Sequence, residues 1–116
     1  MATYTKSKLS GSTDGKPILI TATATAGTAI HTAVTGTTNY DEIWLWAVNN
    51  STSDELITLE FGGATTDWNI KYQVLSRDGL KCIVPGLILH NGATVKAFSA
   101  VGSTISIVGF INNIVN

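Results

Sequence analysis

Charge is scarce in this chain of 116 residues. Lys, Arg, Asp and Glu together make up 13% of it, and the formal net charge is −1. Ordinary soluble domains carry about 25%. Nucleic-acid binding needs a basic footprint to neutralise phosphates. The 7 Lys and Arg residues are scattered and balanced by 8 Asp and Glu, so no such footprint exists. Cysteine is limited to Cys82, which excludes an internal disulfide framework. Its setting, Leu80-Lys81-Cys82-Ile83-Val84, reads as a small buried hydrophobe. No apolar run approaches the ~20 residues that span a bilayer, and Met1-Ala2-Thr3-Tyr4-Thr5-Lys6 contains no apolar signal region. The expectation is a protein made in the cytoplasm with no membrane partner. Helical periodicity, linkers and solenoid-length repeats are also missing.

Threonine and serine occupy the place that charge leaves. Hydroxyls keep a surface wet without ionisation, and threonine fits a pleated strand. Strand-like alternation recurs about every ten residues between turn signals. Ile18 to Thr25, Ala29 to Val34, Asp41 to Val48, Glu55 to Phe61, Ile70 to Leu75, Leu80 to Val84, Leu87 to His90, Ala93 to Ala100 and Thr104 to Ile111 read as strands. Asn91-Gly92 is the strongest hairpin signal. Residues 1–16 read as an extended N-terminal arm with at most one short strand, and residues 17–116 as one domain. A chain of this length buries roughly two thirds of its unfolded surface, enough for a core without metals or disulfides. The fold expected is an all-β antiparallel β-sandwich with jelly-roll winding, and an immunoglobulin-like Greek key is the alternative.

Catalytic chemistry is hard to find. His31 and His90 have no carboxylate or cysteine at metal-ligand spacing, and each reads as a partly exposed strand histidine. In Asp41-Glu42 and Asp54-Glu55 the neighbours point to opposite faces of a strand, so neither pair converges on one substrate atom. Gly11-Ser12-Thr13-Asp14-Gly15 lacks the residues of a phosphate or calcium loop. No cofactor or metal is implied. Trp44, Trp46 and Trp68 leave a sugar-stacking module as a minor reading.

The strand Asp41 to Val48 is apolar on both sides. Ile43, Leu45 and Ala47 face one way, and Trp44, Trp46 and Val48 face the other. A sandwich strand needs only one core face, so the second set is free to meet another surface. Tryptophan is enriched where proteins dock. Trp44, Trp46 and Val48, with Tyr4, Lys6 and Lys8 of the arm, are therefore the candidate interface residues.

Several phrases resemble small virion proteins of tailed bacteriophages. They are Tyr4-Thr5-Lys6-Ser7-Lys8-Leu9-Ser10-Gly11-Ser12-Thr13-Asp14-Gly15, the run from Thr21 to Thr32, Tyr40-Asp41-Glu42-Ile43-Trp44-Leu45, and Val84-Pro85-Gly86-Leu87. The group is that of virion structural or capsid-decoration (cement) proteins. The resemblance implies a non-enzymatic protein bound in many copies to the outer capsid surface. Its partners would be the major capsid protein or other virion proteins, with homo-oligomers in the virion. A tail, neck or fibre component is the alternative within the virion, and a carbohydrate-binding β-sandwich the one outside it.

Overall fold

In the computed structural model, which describes residues 2–116, the alternating segments become strands. They are β1 (Thr3–Lys8), β2 (Ile18–Leu19), β3 (Thr28–Thr32), β4 (Tyr40–Asn49), β5 (Glu55–Gly62), β6 (Asn69–Val74), β7 (Lys81–Leu89), β8 (Thr94–Ser99) and β9 (Ile105–Val115). One sheet has the order β1-β9-β4-β7, with β2 also pairing β9; the other has the order β3-β8-β5-β6. β1 and β2 run in the same direction along β9 and act as one interrupted strand. Counted so, each step along the chain crosses to the other sheet except β5 to β6. Two four-stranded sheets wound in this way are a jelly roll, not the immunoglobulin-like alternative.

The core follows from period two. Ile43, Leu45 and Ala47 on β4, Ile57 and Leu59 on β5, and Ile105, Ile107 and Ile111 on β9 are buried between the sheets. Alternate residues of the same strands face outward.

Within the expected arm, the one short strand is built into the sandwich. β1 pairs with β9 from Thr3↔Val115 to Lys8↔Phe110, and Leu9 enters the core at 1% exposure. The loop beyond it crosses to the second sheet, where the Gly11 N–H donates to the Ile30 carbonyl at 2.9 Å. Leu9→Ala is therefore expected to lower stability by about 2–3 kcal/mol in chemical denaturation, the lower part of the usual Leu→Ala range. A detached arm would give no change.

Four expectations change. Thr21-Ala22-Thr23-Ala24-Thr25-Ala26 is a loop beyond the short β2. Alanine methyls bury too little apolar area to hold a strand on the core. The loop is held by bonds to strands instead of a ladder of its own: the Thr21 and Ala22 N–H groups both donate to Thr28 Oγ1 at the start of β3, at 3.2 Å, and the Ala22 carbonyl accepts from the Ser99 N–H at 3.1 Å. Asn91-Gly92 does form a tight turn, with φ of 58° and 68°, but it joins strands of different sheets and makes no hairpin ladder. Pro85-Gly86 does not divide two strands; β7 runs through it, with register shifts in its pairing to β4. Cys82 is exposed, because β7 is an edge strand on which Val84 is the residue buried in the core.

Candidate functional site: an open aromatic face

Residues directly opposite each other in an antiparallel pair share a face. Trp44, Trp46 and Val48 pair with Phe110, Val108 and Ser106. Tyr4, Lys6 and Lys8 pair with Ile114, Asn112 and Phe110 on the other side of β9. The register thus places all six sequence-derived candidates on the outer face of one sheet.

The centre of this face is a cluster of three rings. Trp44 and Trp46 stack with centroids 6.2 Å apart, and Phe110 lies 6.2 Å from Trp44 and 5.9 Å from Trp46. Those spacings lie in the range where offset aromatic pairs attract. Lys6 Nζ sits 4.4 Å from the Phe110 centroid, a cation–π distance. Gly86, at φ +81°, makes room for the Trp44 indole: a Cβ there would meet Trp44 Cζ2 at 2.9 Å. The Trp44 indole N–H donates to Glu42 Oε1 at 2.8 Å, and the Asn112 amide donates to the same oxygen at 2.9 Å. The Asn112 bond first, and the Trp44 bond second, hold the Glu42 carboxyl below the usual carboxylate range.

The two outer faces of the sandwich differ. On the β3-β8-β5-β6 sheet the Thr21 to Gly27 loop lies over β5. The Thr25 hydroxyl and the Gly27 N–H (2.6 Å) both donate to Glu60, which is 2% exposed. No strand or helix among the described residues covers the aromatic face. Trp44, Trp46 and Phe110 stay half-buried mainly through one another.

His31 is buried, not partly exposed. A bulge in β3 between Ala29 and His31 turns both Ile30 and His31 inward. The Ser10 N–H donates to Nδ1 at 3.0 Å, which leaves Nε2 to carry the proton it donates to Asp41 Oδ2 at 2.7 Å. Asp41 also accepts from the Val34 N–H at 3.1 Å and the Asn113 amide at 2.8 Å. Ser10 Oγ accepts from the Thr32 N–H at 2.8 Å. Both ring nitrogens of His31 and both carboxylate oxygens of Asp41 are engaged, and the network ties four segments together. His90 stacks on Tyr40 at 5.2 Å and 15°.

A groove of about 760 Å3 opens at the end of the sandwich beside Tyr40, Gly62, Leu89 and His90. At Gly62 and Leu89 it adjoins a hollow of about 330 Å3 lined by Phe61 and Trp68. Trp68 is 51% exposed. Among the described residues no three His, Cys, Asp or Glu side chains cluster in a way that holds a metal, and no helix is long and apolar enough to cross a membrane.

The interface candidates drawn from sequence omitted Phe110, Glu42, Asn112 and Gly86. Phe110 was visible as the outward member of an alternating strand, but its place between the tryptophans depends on a register set by residues more than sixty positions away. No protein-family model, no curated protein and no solved structure matches this chain.

Proposed function

We propose that this protein is a non-catalytic structural protein of a bacteriophage virion, a capsid-decoration protein that seats the outer face of the β1-β9-β4-β7 sheet on the shell. The observation that carries this reading is the three-ring cluster on a sheet face that the chain leaves open, while a loop lies over β5 on the other. Burying two tryptophans from water contributes about 3–6 kcal/mol before association costs, enough to anchor a contact. The burial of His31 and Asp41, with both ring nitrogens and both carboxylate oxygens engaged, supports a role without catalysis. The phage setting rests on the sequence resemblance. In this role the protein sits in the virion in many copies, against the major capsid protein or a neighbouring virion protein. Quantitative mass spectrometry and immunogold labelling of purified particles test it. Many copies on the head are expected. Label on the tail would move the role to a tail, neck or fibre part, and absence from particles would overturn it.

Exposed Trp68 beside the end groove favours a second reading, a carbohydrate-binding module. Tryptophan fluorescence that shifts with glycans in the wild type but not in Trp68→Ala, in a protein absent from particles, would support it.

A further inference from the structure

The two flanks of the open face differ in charge. On the β1 flank stand Lys6 and Lys8, both exposed. Lys6 lies over Phe110, and Lys8 Nζ donates to the Ser12 carbonyl at 3.0 Å. Neither meets a carboxylate: the lysine–carboxylate pairs among the described residues are Lys16–Asp14 and Lys81–Asp78. On the β7 flank the charge is confined to one end, where Lys81 pairs with Asp78 at 3.0 Å; from Cys82 to Leu89 the strand carries none. Between the flanks the one carboxylate, Glu42, already accepts from Trp44 and Asn112.

We infer that the surface this face docks on is apolar at its centre and presents carboxylates along β1, and that it is not a second copy of this chain. The inference rests on the docking reading above. A two-fold axis along the strands would lay Lys6 and Lys8 on β7 of the partner copy, whose one charged residue, Lys81, is itself a cation already paired with Asp78. An axis across the strands would lay lysine on lysine. Pairing through the β1 edges would do the same, and lysine on an edge strand is a known device against such pairing. Each arrangement offers four ammonium groups, two from each copy, no carboxylate on this face but the two Glu42 side chains, whose Oε1 atoms already accept from Trp44 and Asn112. A different surface with acidic residues opposite β1 satisfies the ammonium groups and steers the encounter.

Binding of purified protein to particles made without its gene, read by co-sedimentation, tests this. Wild type should bind, and its affinity should fall roughly tenfold between about 50 mM and 500 mM salt. The Lys6→Glu/Lys8→Glu variant should bind at least about tenfold more weakly at low salt, with little salt dependence left. Lys6→Gln/Lys8→Gln guards against a disturbed β1 and should fall between the two, and the Arg/Arg variant should bind like wild type. An unchanged melting curve for each variant shows that the fold is intact. If wild type binds but the Glu and Gln variants bind equally well, the acidic-partner inference is wrong and the docking reading stands. If wild type binds at no salt concentration, the docking reading falls and the inference falls with it. A stable dimer that survives lysine reversal and is lost in Trp46→Ser would also overturn the inference.

Discussion

Replacing Asp41 with alanine is expected to cost the domain about 3–5 kcal/mol, because it leaves three donors without their acceptor. The carboxylate accepts from three donors: His31 Nε2, the Val34 N–H and the Asn113 amide. Its side chain and that of His31 are each only 5% exposed, so water does not readily replace the lost partner. Each buried donor left unpaired costs about 1–3 kcal/mol. A domain of this kind has about 5–15 kcal/mol in all, so the loss is a large share of the total. His31→Ala should cost less, because it releases one bond to Asp41 and the Ser10 N–H and leaves the Val34 and Asn113 bonds in place. Equilibrium urea unfolding of the two variants checks both size and order. A change under about 1 kcal/mol for Asp41→Ala would mean that the network does not join the N-terminal segment, β3, β4 and β9.

The second large effect separates folding from docking. Trp46→Ser removes a ring that lies outside the core and is only half-buried. Its loss forfeits stacking on Trp44 and Phe110, worth about 0.5–1.5 kcal/mol per aromatic pair beyond area burial. The unfolding free energy should therefore drop by about 1–3 kcal/mol. Particle binding should fall by at least about thirtyfold, the loss of an interface hot spot of about 2 kcal/mol or more. Leu45→Ser, on the same strand but pointing into the core at 0% exposure, should do the reverse: it should damage the fold severely. A Trp46→Ser protein that melts far lower yet binds normally while folded would assign this ring to the core.

Much of the fold was legible because a strand announces its faces by alternation. Ile43, Leu45 and Ala47 against Trp44, Trp46 and Val48 could be sorted from sequence, as could Ile105 and Ile107 against Val108 and Phe110, and the burial pattern matches. Features that depend on distant partners were not legible. Nothing in Thr3–Lys8 announces that its partner is the C-terminal strand, about a hundred residues on. A bulge in β3 moved His31 from the surface to the interior, and period two alone does not foresee a bulge. The Thr-Ala repeat had the right period but too little apolar area to stay a strand. Asn91-Gly92 specified a tight turn correctly, but a turn does not say whether its arms share a sheet. Cys82 sat in an apolar run whose strand proved to be an edge.

Cys82 offers the most direct measurement on the open face. It is exposed and pairs with Trp46 across β4 and β7, so its thiol reports whether that face is covered. Alkylation of the free protein should proceed at the rate of an accessible thiol. In purified particles the same thiol should react at least about tenfold more slowly, and recover full reactivity when the particles are denatured. Equal reactivity of Cys82 in free protein and in particles that carry it would contradict docking through the Trp44–Trp46–Phe110 face.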